Sequence, residues 1–287
     1  MRLTVRKALD RTAKRLGLVA KSNAPIDAEL ILGAVLNTTR ERILGHDADV
    51  LSPAHAKAFM RIVSQRAKGR PLAYCLGYQY FNGLKFLVKP GVLIPRPDSE
   101  LLFDLVFSKF PDNKLTIADI GTGSGCLGIA LAHNRPNWKI LAVDKSKTAL
   151  AVARKNAKLN KISTRVKFKL GDLLRPLSSN RIDLIVANLP YLTPDEIRNE
   201  PTIKYEPKLA LDAGLNGLRP YERLFKQYRI QKRTCPLLLE IDPRRKTALA
   251  RLVHKLLPSH KMTWHRDLGG KWRALELYVK EKTKTYS

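Results

Sequence analysis

The residues of this chain best suited to chemistry stand where short strand-like runs end. Run 115–120 passes into Asp119-Ile120-Gly121-Thr122-Gly123-Ser124-Gly125, and the run ILAVD ends on Asp144. Glycines at such a turn let the backbone bend sharply and let a ligand approach it, while free amides at the following helix start favour a polar or anionic group. Gly121, Gly123 and Gly125 alternate singly, which is not the spacing of a dinucleotide fingerprint. An acid at the end of the next strand suits a pair of ribose hydroxyls, and Asp144 holds that place. Gly171-Asp172 follows run 166–170, where a carboxylate can accept a hydrogen bond from an adenine amino group. Taken singly, each acid is equally a helix N-cap; only their order and strand-end placement make the set specific.

A further run, 182–187, ends in Asn188-Leu189-Pro190-Tyr191. An amide, a proline-stiffened turn and an aromatic suit an acceptor that is itself a planar, conjugated nitrogen. Such a nitrogen is a poor nucleophile because its lone pair is delocalised. If the Asn188 side-chain oxygen and the Leu189 main-chain carbonyl each accept one amino hydrogen, the lone pair is aimed at an electrophilic methyl group. That is catalysis by orientation and electrostatics, with no general base. Tyr191 is expected to pack on the acceptor plane. The plain alternative is an Asn-initiated turn at the end of a buried strand.

These residues need a frame, and the hydrophobic periodicity supplies one. Up to about residue 70, apolar residues recur three or four apart near 3–16, 25–36, 39–45 and 53–67, with Pro25 and Ser52-Pro53 at helix starts. The basic first segment reads as the first helix and not as a transit peptide, since Asp10 interrupts it. From Tyr74 the pattern turns strand-like, with Asn82-Gly83 as a hairpin signal; Pro90, Pro95 and Pro97 follow. Beyond Asp98, strands at 115–120, 138–143, 166–170, 182–187 and 236–241 alternate with helices near 98–109, 125–134, 147–160, 217–231 and 243–256. Late strands come at 261–266 and 273–279. Such alternation specifies a doubly wound α/β sheet, with its ligand crevice at the strands' carboxyl ends.

Composition excludes several classes. With 44% hydrophobic residues the 287-residue chain can build a core, despite a net charge of +28. No apolar run approaches the roughly 20 residues of a membrane span, so no membrane partner is expected. Cys75, Cys126 and Cys235 suggest neither disulfides nor zinc, and a reducing, cytoplasmic setting follows. His260 and His265 read as surface histidines, and no metal is implied.

Together, Asp119, the glycine turn, Asp144 and Asp172 resemble the motif series of S-adenosylmethionine-dependent methyltransferases, with a nicotinamide enzyme as the alternative. The whole chain resembles the HemK/PrmC family of protein-(glutamine-N5) methyltransferases. The residues that carry this are Gly69-Arg70-Pro71-Leu72-Ala73-Tyr74, Leu76-Gly77, Phe81, Gly83 and Leu93-Ile94-Pro95-Arg96-Pro97-Asp98-Ser99-Glu100. Leu239-Glu240-Ile241, Asp267, Gly269 and Arg273 extend it to the carboxyl-terminal part. The resemblance implies a Rossmann-like class I methyltransferase sheet, a small helical N-terminal domain and a linking β-hairpin. The expected boundaries are 1–73 for a helical substrate-docking domain, 74–97 for the hairpin and Pro-rich linker, and 98–287 for the methyltransferase domain. It implies S-adenosylmethionine as methyl donor, held by Asp119, Gly121, Thr122, Gly123, Ser124, Gly125, Asp144, Asp172, Leu173 and Asn188. Asn188, Leu189, Pro190 and Tyr191 would serve the acceptor, the glutamine of the Gly-Gly-Gln motif of peptide chain release factors.

Three departures stand out. Leu189 replaces the first proline of the family's Asn-Pro-Pro-Tyr, as in ribosomal RNA adenine dimethylases; only its carbonyl is needed, so the geometry should survive with a looser turn. Asp98-Ser99-Glu100 replaces Glu-Thr-Glu. Leu173 stands where an aromatic is common, so aliphatic packing and backbone amides would hold the adenine. The Pro95-Arg96-Pro97 loop is either a stiff linker or a cover for the cofactor, and Glu206-Pro207 with Leu211 to Gly217 forms a plausible acceptor-side loop.

Other functions remain open. A glutamine of large-subunit ribosomal protein L3 is a possible target, although a basic partner would be repelled. An adenine-N6 methyltransferase of RNA or DNA fits the charge and the Asn-Leu-Pro-Tyr form. A non-catalytic nucleic-acid-binding relic predicts damaged cofactor motifs, and these are intact. The positive excess is spread on both sides of Pro95, not gathered in one arm. It reads as a general field that steers an acidic or ribosome-associated partner, or as a proteome-wide bias.

Overall fold

A computed structural model describes residues 3–17 and 23–279. They form two compact units: one runs through Tyr78 and includes Pro201–Tyr205, the other holds Gln79–Glu200 and the chain from Glu206 onward.

The first unit is helical: α1 (Val5–Leu16), α2 (Ala24–Leu36), α3 (Arg40–Leu44), α4 (Pro53–Ala67) and α5 (Leu72–Leu76). The starts are capped as their sequence suggests. Thr4 accepts from the Lys7 amide, and Ser52 from the His55 amide just ahead of Pro53 in the first turn. Leu16, Ile31, Leu32, Phe59 and Val63 are buried in its core. Among them Arg66 Nε donates to Asp27 Oδ2 at 2.7 Å, both side chains about nine-tenths buried, and Arg66 Nη1 reaches the Arg70 carbonyl at 3.1 Å. The strand expected from Tyr74 begins later. Residues 72–76 form α5, started at Pro71 and stopped by Gly77 in the left-handed region (φ 82°). Five residues are too few to separate a period of 2 from one of 3.6, and burial of Ala73 and Tyr74 decides for the helix.

In the hairpin, β1 (Tyr78–Phe81) and β2 (Leu84–Leu87) are joined by Asn82 and Gly83, both at positive φ as a two-residue type I′ turn requires. A 3-10 turn (Pro97–Ser99) leads into α6 (Glu100–Lys109), then β3 (Thr116–Ile120), α7 (Cys126–Asn134), β4 (Lys139–Asp144), α8 (Lys147–Leu159), β5 (Val166–Leu170) and β6 (Leu184–Ala187). The chain continues through α9 (Pro194–Asn199), α10 (Arg219–Ile230), β7 (Leu237–Glu240), α11 (Lys246–Leu256), β8 (His260–Arg266) and β9 (Trp272–Val279). The seven strands are ordered β5-β4-β3-β6-β7-β9-β8. Strands β3 to β7 pair in parallel, and β9 runs antiparallel to both β7 and β8. This is the doubly wound sheet expected, with an antiparallel edge.

Successive strands step outward from β3 to β4 and β5, then return to the other side of β3 with β6 and β7. The order therefore reverses at β3, which opens a crevice at the carboxyl ends of β3, β4 and β6. Separate apolar cores lie on the two faces, one with Tyr221, Phe225 and Leu249 of α10 and α11, the other with Phe103, Leu131 and Trp138. Asn156 of α8, fully buried, fastens the hairpin to the glycine turn. Its Oδ1 accepts from the Leu87 amide at 2.7 Å, and its Nδ2 donates to the carbonyls of Leu87 (3.1 Å) and Ser124 (2.8 Å).

His260 and His265 are not the surface groups expected. His260 is buried edge-on to Tyr228, its Nε2 3.3 Å from the phenol oxygen, and His265 is half-buried 3.0 Å from Glu276. Five positions apart on β8, the two side chains point to opposite faces of the sheet, and each meets a partner that the local sequence does not contain.

Asp27→Ala would leave the Arg66 guanidinium buried without its carboxylate, at a cost of about 3 to 5 kcal/mol. Urea denaturation of the full chain followed by far-UV circular dichroism should show the helical unit melting ahead of the sheet.

Candidate functional site

Most of the strand-end residues line a single cavity at the crevice. Its wall includes Asp119, Gly121, Thr122, Gly123, Ser124, Asp144, Asp172, Leu173, Asn188, Leu189 and Pro190. Gly125 and Tyr191 do not line it. Tyr191 packs half-buried beside the apolar core that contains Tyr221 and Leu239.

The glycine turn is tied down from two strands. Asp119, 2% exposed, accepts at Oδ2 from the Thr122 hydroxyl (2.6 Å) and the Gly128 amide (3.1 Å). Burial pushes its carboxyl up to about 6, against those two hydrogen bonds, which favour the ionised form. The amides of Gly121 and Thr122 donate to the Val143 carbonyl of β4. Gly125 and Gly128 are glycines for steric reasons. A Cβ on Gly125, at φ 84°, would meet Ile129 Cδ1 at 2.7 Å, and one on Gly128 would meet Asp119 Oδ2 and Ile140 Cγ2 at 2.8 Å. Gly128 has one signal in the sequence, its spacing of three residues after Gly125.

Asp144 accepts from the Gly123 amide (2.9 Å) and the Ser146 amide (2.8 Å), one at each oxygen, so it faces the turn from the end of β4. Burial raises its pKa, opposed by these amides. Asp172 is held from α10, where Gln227 Nε2 donates to Oδ2 at 2.9 Å and Arg223 pairs with the same oxygen at 2.6 Å. Gln227 also accepts from the Leu174 amide at 2.8 Å. Leu173 between them takes a left-handed φ of 51°, a conformation uncommon for leucine.

At the end of β6, Asn188 Nδ2 donates to Ser99 Oγ at 2.8 Å. The Leu189 side chain is 2% exposed and would touch a Cβ on Gly121. Leucine in place of proline thus anchors the turn beneath the glycine loop, where a looser turn was expected. The segment Gly91–Arg96 lines the same cavity, which favours the covering role over a bare linker. It is held by Glu206, whose Oε2 accepts from the Ile94 amide (3.3 Å) and whose Oε1 pairs with Arg96 Nη2 (2.5 Å). Pro207, Leu209, Ala210 and Asp212 complete that wall, and Leu192 exchanges backbone hydrogen bonds with Leu211 and Ala213. Glu206 was named in the sequence without a contact because its partners lie 110 and more residues away.

A cradle of positive-φ glycines, a strand-end carboxylate beside it, and the Asn188–Leu189 turn line one cavity. It fits an adenosyl group with a small reactive tail, and the Asn188–Leu189 turn fits a primary amide.

Comparison with known proteins agrees. Residues 7–77 match the PrmC N-terminal domain and residues 97–202 the methyltransferase small domain. A release factor glutamine methyltransferase of Moorella thermoacetica is 39% identical over 224 residues, covering 77% of this chain and 79% of that protein. The chain belongs to the release factor glutamine methyltransferase family. A member from Coxiella burnetii is 38% identical over 75% of this chain and 77% of its own. One from Buchnera aphidicola is 32% identical over 93% and 96%. Among solved structures, the hMettl16 catalytic domain bound to an RNA hairpin superposes with a TM-score of 0.56 at 16% identity, over 82% of this chain and 86% of that one. A Pyrococcus furiosus methyltransferase gives 0.51 at 17% over 78% and 98%. At these identities they establish the class I methyltransferase fold of the family, and no more.

An acid whose pKa is raised in the folded state binds more protons there than in the unfolded chain, so its contribution to stability falls as pH rises through that window. Asp119→Asn removes this term. From pH 4 to pH 7, urea titrations should find the unfolding free energy of the variant gaining on the wild type by on the order of 3 kcal/mol. A difference independent of pH contradicts an ionisable, buried Asp119.

Proposed function

We propose that this protein transfers a methyl group from S-adenosylmethionine to the side-chain amide nitrogen (N5) of the glutamine in the Gly-Gly-Gln motif of peptide chain release factors. The observation that carries this is the kinship with enzymes of that name over three quarters or more of both chains. The cavity supports it, since one wall suits the adenosyl group and the other a primary amide.

S-adenosylmethionine supplies a methyl group made electrophilic by its sulfonium. In this reading, the turn Gly121–Ser124 lies against the polar tail of the cofactor, Asp144 accepts the ribose hydroxyls, and Asp172 and Leu173 border the adenine. Asp119 acts behind them by holding the turn in shape. On the opposite wall, Asn188 Oδ1 and the Leu189 carbonyl accept the two amide hydrogens of the glutamine. That draws the nitrogen into one orientation and concentrates electron density on it as the new bond forms. Pro190 stiffens the turn. Tyr191 follows it, steadied by packing beside the core that contains Tyr221 and Leu239.

We take the helical unit as the part that holds the protein substrate, in line with its match to the PrmC N-terminal domain. The net charge of +28 would speed encounter with an acidic surface on the release factor, or with the ribosome on which release factors work. Among the described residues no helix is long and apolar enough to cross a membrane, and the reading places the enzyme in the cytoplasm.

The experiment is methyl transfer from labelled S-adenosylmethionine to a release factor, its Gln-to-Ala variant, ribosomal protein L3 and ribosomal RNA. Label is expected on the intact release factor alone. Label on the glutamine variant, or only on L3 or RNA, overturns the assignment. Asn188→Ala should leave cofactor affinity within about twofold while kcat drops on the order of 100-fold or more, because only the acceptor clamp is lost. Asp144→Ala should do the reverse at low cofactor concentration, raising the calorimetric Kd at least about tenfold through two lost hydrogen bonds to the ribose.

A further inference from the structure

Behind Asn188 lies a hydrogen-bonded chain whose order has a functional consequence. Asn188 Nδ2 is 2.8 Å from Ser99 Oγ, and Ser99 Oγ is 2.5 Å from Glu240 Oε2. Ser99 is 3% exposed and Glu240 1%, so neither has water as an alternative partner. A serine hydroxyl has one hydrogen. If it goes to the Glu240 carboxylate, which has none to give, then Ser99 Oγ must accept from Asn188. The nitrogen of the Asn188 amide is thereby assigned to Ser99, and its oxygen is turned away. A flipped amide would set oxygen against oxygen, with one hydrogen for two acceptors in a buried place.

We propose that Ser99 and Glu240 are positioning residues for methyl transfer: they fix the Asn188 amide in the single orientation that leaves Oδ1 to accept the hydrogens of the substrate nitrogen. This rests on the role given to Asn188 above. In the opposite orientation the Asn188 NH2 would face the substrate NH2, donor against donor, and the acceptor would be repelled. The two residues come from distant parts of the chain, the 3-10 turn before α6 and the end of β7. Tyr221 secures the latter by donating to the Glu240 carbonyl at 2.7 Å.

The device is conditional on the charge of Glu240. Burial pushes its pKa up to about 7, while the Ser99 hydroxyl, Arg273 and Arg96 favour the carboxylate and Asp98 opposes it. Tyr191 and Cys126 also face it and stay neutral, their own pKa values raised by burial. Once Glu240 is protonated it can donate to Ser99, Ser99 can donate to either end of the amide, and the orientation is no longer enforced.

The side-chain amide of Asn188 can be followed by NMR of the full-length 15N-labelled protein, its signals identified by their loss in Asn188→Ala. In the wild type these signals should be protected from exchange and should move with one titration near pH 7. Ser99→Ala should abolish the protection and Ser99→Thr should keep it. Glu240→Gln, nearly isosteric, should keep the fold and abolish the titration. In the methylation assay, kcat of Ser99→Ala should fall about 100-fold with cofactor Kd unchanged, and Ser99→Thr should restore most of it. Asn188 signals that are unchanged in Ser99→Ala, or that still titrate in Glu240→Gln, overturn the proposal. If the signals respond as stated but the wild type methylates no release factor, the functional reading fails and the relay stands.

Discussion

Asp119, next to last in β3, has its carboxylate almost wholly out of water, and that group must be satisfied by whatever the chain does next. One oxygen takes the Thr122 hydroxyl and the Gly128 amide, which draws the following residues into a tight turn and sets the first turn of α7 against the strand. Glycine at 128 leaves room for the carboxylate, and glycine at 125 lets the helix start close to α8. The shape of the glycine turn follows from this one buried acid. Asp144 then meets the turn from β4, since parallel pairing in register brings the two strand ends level.

The acceptor wall repeats the device with other residues. Glu206 and Glu240 are buried carboxylates that bind segments far away in sequence, Glu206 the Ile94–Arg96 segment and Glu240 the Ser99 hydroxyl. A buried acid is costly to hold charged unless its acceptors are filled, so each one dictates the position of its donors. The consequence is a site whose groups are placed before any ligand arrives, which suits chemistry that depends on aiming a weak nucleophile. Leu189 shows the same economy of means: its carbonyl lies at the site while its side chain fills the space under the glycine loop.

Much of this was legible beforehand, for definite reasons. The alternation of strand and helix after Asp98, the hairpin at Asn82-Gly83 and the strand-end acids are local signals, written in periodicity, turn chemistry and order. Residues 74–76, expected to be strand, end helix α5 instead, because so short a span does not separate helix from strand. His260 and His265 were misjudged because their burial depends on Tyr228 and Glu276, partners on other elements. Tyr191, expected on the acceptor plane, is packed half-buried against the core that contains Tyr221 and Leu239, contacts that the local sequence does not contain.

By itself the sequence determined the fold class, the family and the identity of the residues at the strand ends, because each depends on interactions among neighbours in the chain or on the order of motifs along it. Only the tertiary structure decided which groups support those residues and which way they point. Asn156 joining hairpin to glycine turn, Gln227 and Arg223 restraining Asp172, Glu206 holding the covering loop and the Asn188–Ser99–Glu240 chain all link residues tens to more than a hundred positions apart. A hydrogen bond needs its two atoms within about 3 Å, and distances of that kind are set by how the sheet brings its strand ends together.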